Sequence, residues 1–177
     1  MNYLGLDIST STIGYTILDE YSQLVDCGHI NLKKEINEYY KCFLFIDFLD
    51  QLKEKYTKEN LIIYVEEPLK MFSANMSMAQ TIGTLQRFNG MACSLILIKL
   101  DVQPKLINAS AARKLCGIKI QKGIKAKEVV MEYIKKNSLL PEEKWEYKKT
   151  GKVKDYLYDI CDSYIISLAG LKSETPF

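Results

Sequence analysis

The sequence predicts a single α/β domain over residues 1–177, built on a mixed five-stranded sheet, three antiparallel strands and then parallel ones, with helices on both faces. Three observations carry this expectation. Strand-type runs follow one another closely before residue 31, as in a meander of hairpins. The run Leu61-Ile62-Ile63-Tyr64-Val65 is continuously apolar, the profile of a strand buried on both faces. Around it lie long stretches with apolar residues at helical spacing, which can serve as crossovers on the faces of a sheet.

In chain order, Tyr3, Leu4, Leu6 and Ile8 mark a first, central strand with Asp7 inside it. Ser9-Thr10-Ser11-Thr12 is a polar turn, and Gly14 to Leu18 reads as the returning strand of a hairpin. Residues 23–31 alternate as a third antiparallel strand. Between 36 and 56, Tyr39, Tyr40, Phe43, Leu44, Phe48, Leu49 and Leu52 recur at helical spacing, and a polar tetrapeptide closes the helix. The apolar strand at 61–65 ends in Glu66-Glu67-Pro68, where proline cannot continue a ladder. The longest helix is expected over 77–100, and a short fifth strand over 103–107. Asn108 or Ser110 can cap a helix at 111–116 that Gly117 stops. Helices over 125–136 and 156–171 follow, separated by a polar connection at 140–151 that holds the only tryptophan, Trp145.

Composition narrows the function. An apolar share of 47% and a charged share of 26% are ordinary for a soluble globular chain. The net charge of +2 is unevenly spread, because residues 105–154 hold 14 Lys/Arg against 5 Glu and the remainder is acidic. A basic segment on an acidic chain suits a polyanionic partner met on one face. The five cysteines are scattered with no CxxC pair, which indicates neither a disulfide framework nor a thiolate zinc site. Strand signal from residue 2 leaves no room for a signal peptide, and no apolar run approaches the ~20 residues of a membrane helix. The expectation is an intracellular, reducing compartment: cytoplasm or nucleoid, an organelle, or a viral factory. The one histidine, His29, sits in a strand-like run without nearby cysteine and reads as structural.

Chemistry is carried by carboxylates. A charge in a central strand is costly unless something neutralises it, so Asp7 calls for a cation and for further acids beside it. Glu66 or Glu67 stands at the carboxyl end of the fourth strand, and Asp159 and Asp162 lie three apart on one face of the last helix. Carboxylates without imidazole or thiolate partners are ligands for Mg²⁺ or Mn²⁺ rather than zinc. Such a set can hold two ions ~4 Å apart that act on a phosphodiester.

These segments resemble the RuvC-like Holliday junction resolvases of the RNase H-like superfamily, with features of a viral or organellar branch. The resemblance runs over nearly the whole chain, through Leu4-Gly5-Leu6-Asp7-Ile8, Tyr64-Val65-Glu66-Glu67, residues 73–90, residues 108–117, and Tyr158-Asp159-Ile160-Cys161-Asp162-Ser163. It implies a Mg²⁺-dependent endonuclease for four-way DNA junctions, with two ions per site on Asp7, Glu66 (or Glu67), Asp159 and Asp162. It also implies a lysine near the cleaved phosphate, which Lys125 and Lys127 both fit, and a wedge residue after the fourth strand, for which Leu69 and Phe72 compete. Arg113, Lys122, Lys125, Lys127, Lys148, Lys149, Lys152 and Lys154 are the expected DNA contacts.

Three other readings compete. Actin-like sugar kinases open with a similar strand and phosphate-holding hairpin, but need a second such domain. A pure junction binder gains nothing from carboxylates facing phosphates. A relative cutting other branched DNA or RNA would look much the same in sequence. The expected working unit is a symmetric homodimer on the 77–100 helix, where Met78, Ile82, Leu85, Met91, Leu95 and Ile98 span a wider arc than one sheet face covers and Gly83 and Gly90 permit close approach. No membrane and no nucleotide cofactor are expected.

Overall fold

The first strand, β1 (Asn2–Ile8), is the centre of the sheet in the computed structural model, which describes residues 1–33, 37–68 and 76–174, and the side chains of all of these but 76–78. It pairs antiparallel with β2 (Thr12–Asp19), which pairs antiparallel with β3 (Leu24–Asn31). On its other edge it runs parallel to β4 (Leu61–Glu66), and β4 runs parallel to β5 (Lys105–Ile107). The order β3-β2-β1-β4-β5 is the mixed sheet that the sequence predicts.

Side-chain alternation along the strands sorts the core into two layers. Leu4, Leu6, Ile63 and Val65 point to one face, where they meet Phe45 and Leu49 of α1 (Glu38–Lys55) and Phe88, Ala92 and Ile96 of α2 (Met76–Leu100). Tyr64 and Ile62 point to the other face, towards α5 (Tyr156–Glu174), with α3 (Ala109–Leu115) and α4 (Ala126–Lys136) packed outside it. Asn37 and Asn108 cap α1 and α3 by accepting backbone N–H bonds, which settles the choice between Asn108 and Ser110.

Element bounds differ from expectation by a few residues. The fifth strand is only three residues long, since Pro104 has no N–H to give to the ladder. The 140–151 connection is more ordered than its polarity suggests: a 3₁₀ turn at Glu142–Lys144 leads to a small hairpin closed by the bridge Tyr147–Val153, with Gly151 supplying the positive φ of its turn. Among the described residues, no helix is long and apolar enough to cross a membrane.

Helix α5 lies unusually close to the sheet. A β-carbon on Gly5 would run into the backbone of Ser163 and Ser167, and one on Gly14 into the backbone of Asp159. Hydroxyls stitch the contact: Thr16 Oγ1 and Ser163 Oγ are 2.9 Å apart, and Ser167 Oγ donates to the Tyr3 carbonyl at 2.6 Å. Leu157, Ile160, Tyr164 and Ile165 are buried under the same helix. Side chains of this size contribute about 1.5–3 kcal/mol each on burial, which favours docking of α5 although it carries acids.

Candidate active site

The register of the sheet brings Asp7 and Glu66 together. Leu6 is opposite Val65 in the parallel β1–β4 pair, so the next residues, Asp7 and Glu66, stand side by side at the carboxyl ends of adjacent strands. Both lie on the α5 face, since Leu6 and Val65 before them point to the α1–α2 face. Asp7 also faces Gly14, the residue on which Asp159 rests. Asp159 and Asp162 descend from the first two turns of α5 over this strand end, both largely buried.

A cleft of about 210 Å³ opens here, lined by Asp7, Ser9, Glu66, Asn89, Lys127 and Asp162, with Ile8, Pro68 and Leu85 as its apolar wall. Lys127, in the first turn of α4, reaches across it: its Nζ is 3.2 Å from Asp159 Oδ1 and 3.8 Å from Asp162 Oδ2. Asp7, Glu66 and Asp162 thus line one cleft, Asp159 adjoins it through Lys127, and Arg113 is close enough to act on Glu66 and Asp162.

The electrostatics follow from that crowding. Burial first, then the charges of Glu66, Asp162 and Asp159, hold the Asp7 carboxyl well above the usual carboxylate range. Burial and Asp162 push Glu66 up to about 7, against the pull of Arg113 and Lys127. Burial pushes Asp162 up to about 6, and raises Asp159 despite its contact with Lys127. Burial works against the charge of Lys127 too, but the surrounding carboxylates outweigh it and its pKa is raised. The site holds more negative charge than its own two cations neutralise. Among the described residues no three acidic, imidazole or thiol groups are already gathered as a ready metal-ligand cluster.

The structure separates several alternatives. Glu66 lines the cleft, whereas the Glu67 N–H bonds the Ile107 carbonyl at 2.9 Å and strand alternation turns its side chain away from the α5 face. Lys127 is in the cleft; Lys125 is the exposed N-cap of α4 and makes no side-chain capping bond. Arg113 is half-buried beside the acids, while Lys122 is exposed on the loop before α4. In the basic hairpin, Lys148 pairs with Asp155 at 2.6 Å and Lys154 pairs with Glu146. Lys149 and Lys152 are exposed and have no acidic partner among the described residues. Leu69 and Phe72 lie outside the described residues.

Sequence reasoning missed three supports. Asn89, buried in α2, donates from Nδ2 to the Glu66 carbonyl at 3.2 Å and fixes the end of β4. Lys41, buried in α1, donates to the Thr10 carbonyl at 2.6 Å and ties down the turn that follows Asp7. Ser9 Oγ closes that turn by donating to the Thr12 carbonyl at 2.8 Å. The signal for Asn89 was available as a lone amide between the apolar Phe88 and Ala92; Lys41 looks like any surface lysine in a helix. His29 stacks on Tyr156 with ring centroids 3.9 Å apart, and lies close enough to Asp159 for the two charges to act on each other.

No family model matches the chain, and no curated protein matches it significantly. Solved structures do. RuvC of Thermus thermophilus, in complex with a Holliday junction substrate, superposes with a TM-score of 0.63 at 12% identity, covering 98% of this chain and 95% of that one. A second structure of Thermus thermophilus RuvC gives 0.61 at 14% identity, covering 98% and 96%. The yeast mitochondrial Holliday junction resolvase Ydc2 gives 0.60 at 17% identity, covering 96% of this chain and 77% of its own. The mixed sheet with α5 laid across β1 is therefore the RuvC-like, RNase H-like fold.

Proposed function

We propose that this protein is a Mg²⁺-dependent endonuclease that resolves four-way DNA junctions by paired, symmetric phosphodiester hydrolysis. The observation that carries the reading is the convergence of Asp7, Glu66 and Asp162, from β1, β4 and α5, on one cleft with Lys127, which also binds the neighbouring Asp159. No serine–histidine or cysteine–histidine pair lines the cleft among the described residues; His29 stacks on Tyr156 near Asp159.

The donor set fits a pair of hard divalent cations. It consists of carboxylate oxygens, and their mutual repulsion leaves excess negative charge that a cation relieves. Asp7, Glu66, Asp159 and Asp162 would hold two Mg²⁺, with Mn²⁺ as a substitute. When bound, such ions supply an activated water and stabilisation of the leaving oxygen. Lys127 does the rest of the local work. Its exposed ammonium can turn from Asp159 to a phosphate oxygen, drawing the scissile group into the cleft and offsetting charge on it. The charge of Arg113, from the side of α3, favours the ionised forms of Glu66 and Asp162. The cleft is smaller than the ~300 Å³ of a typical small-molecule pocket, which suits a backbone phosphate entering from a strand laid across the mouth.

The working unit in this reading is a homodimer on α2. Leu97 and Ile98 are exposed on it, Tyr39, Tyr40 and Phe43 are exposed on the neighbouring α1, and a β-carbon on Gly83 or Gly90 would meet nothing within 4 Å. A two-fold dimer presents two sites to the two equivalent strands of a junction.

The test uses labelled four-way junction, duplex, flap and RNA–DNA hybrid, with and without Mg²⁺. Cutting of the junction alone, and only with the metal, is the expected result. Asp7→Asn and Asp162→Asn should abolish cutting and leave junction binding intact, since each removes a charge opposed to DNA. Wild-type cutting rates in either variant would overturn the assignment.

A further inference from the structure

Away from the acidic cleft, a cavity of about 710 Å³ opens on the outer side of the α4–α5 connection, lined by Lys135, Leu140, Pro141, Glu142, Trp145 and Tyr147. It has the size of a ligand pocket. Its walls are two aromatic rings under one ammonium: Lys135 Nζ lies 4.7 Å from the Trp145 centroid and 5.5 Å from that of Tyr147. Tyr147 is 53% exposed, a large ring left in solvent at the foot of the basic hairpin. The hairpin continues from this ring to Lys149 and Lys152, both exposed and, unlike Lys148 and Lys154, without an acidic partner among the described residues. Lys148 and Lys154 are spent on Asp155, just before α5, and on Glu146, across the hairpin's own arms.

We propose that this pocket stacks an unpaired base of the DNA strand, with Lys149 and Lys152 on the flanking phosphates, so that branched substrates carrying unpaired nucleotides near the crossover are preferred. The proposal rests on the junction-nuclease reading above. Aromatic faces beside free lysines are what a single strand needs, because any base can stack and every phosphate is anionic. A cation–π contact of an exposed lysine is weak, and the flexible stem of Lys135 lets its ammonium move from the rings to a phosphate as a base enters. The Glu142 carboxylate, on the pocket wall, is an acceptor for an exocyclic amino group.

The position suits the purpose. Lys135 is eight residues beyond Lys127 on the same helix, about 12 Å along its axis at 1.5 Å per residue. That is three to four steps of a strand at about 3.4 Å each, so a strand cut beside Lys127 reaches the pocket within a few nucleotides. The hairpin returns the chain to the active site: Lys154 lies over Tyr156, which stacks on His29, one turn before Asp159.

Trp145 is the only tryptophan, so its emission reports on this pocket alone. The experiment titrates the full-length protein, in EDTA to prevent cutting, with a fully paired four-way junction and with the same junction carrying a few unpaired thymidines beside the crossover. Emission and mobility shift are read together. Expected are quenching by the second junction and tighter binding of it, by about 5- to 150-fold for one stacked base. Tyr147→Ala, at an exposed position that tolerates truncation, should bring that ratio near one. Lys149→Ala with Lys152→Ala should weaken both junctions alike. Binding of both junctions with unchanged emission and equal affinity overturns the proposal. If neither junction binds, a single-stranded oligothymidine separates the two readings: quenching by it keeps the pocket and removes the junction-nuclease reading, and no quenching removes both.

Discussion

Replacing Glu66 by Gln should make the metal-free protein more stable and inactive at once. Glu66 is packed beside Asp7 and Asp162, and its pKa is pushed from the ordinary 4.5 up to about 7 by burial and by Asp162. A carboxyl with a native pKa above its unfolded value binds its proton more tightly in the folded state. Stability is therefore full below about pH 4.5 and falls as pH rises towards 7, reaching its lowest level above that. At 1.36 kcal/mol per unit, the ionised group costs the fold up to about 3 kcal/mol at pH 8. Glutamine keeps the shape and removes the charge, so the gain should be about 1–3 kcal/mol, or roughly 2–12 °C in Tm for a chain of this length. Thermal melts in EDTA at pH 8 and pH 4 measure it. The increase should appear at pH 8 and vanish at pH 4, where the carboxyl is protonated folded or unfolded. Mg²⁺ at pH 8 should raise the wild-type Tm by more than that of Glu66→Gln. A variant that melts lower than wild type at pH 8, or shifts equally at both pH values, would refute the account of a crowded acidic site.

Three further predictions concern the cations and the assembly. Lys127→Ala should lower the cutting rate by about 10²-fold or more, as loss of a donor to the reacting group does elsewhere, while Lys125→Ala stays close to wild type; single-turnover cleavage compares them. Lys149→Ala with Lys152→Ala should reduce the salt dependence of junction binding by about 0.9 in log–log slope for each phosphate released, and Lys148→Ala with Lys154→Ala by less, because Asp155 and Glu146 are freed as those lysines are lost. Ile98→Glu, at a position 73% exposed, should leave the fold intact but shift light scattering from dimer to monomer and turn paired cuts in a cruciform plasmid into single nicks; an unchanged dimer would move the interface elsewhere.

Local pattern alone determined a good deal of this protein. Strand parity and helical spacing are short-range properties, and they suffice for the five sheet strands and five α-helices of the described residues to within a few positions, for Asp7 inside a central strand, and for Asp159 and Asp162 on one helix face. What lies between elements could not be read that way. Glu66 and Glu67 are equivalent in sequence; only the β1–β4 register and the opposite pointing of neighbouring strand residues put Glu66 on the acid-bearing face. Lys125 and Lys127 are likewise alike until the packing of α4 on α5 sets one at the cap and the other over Asp159. The basic run looked uniform, and the fold divides it into braced lysines and free ones by folding it into a hairpin with Asp155 and Glu146 within reach. Trp145 was one residue of a polar connection, and becomes the wall of a pocket only when α4 brings Lys135 over its ring. Periodicity fixes which side of an element a residue occupies, while distances between elements come from close packing of side chains far apart in the chain.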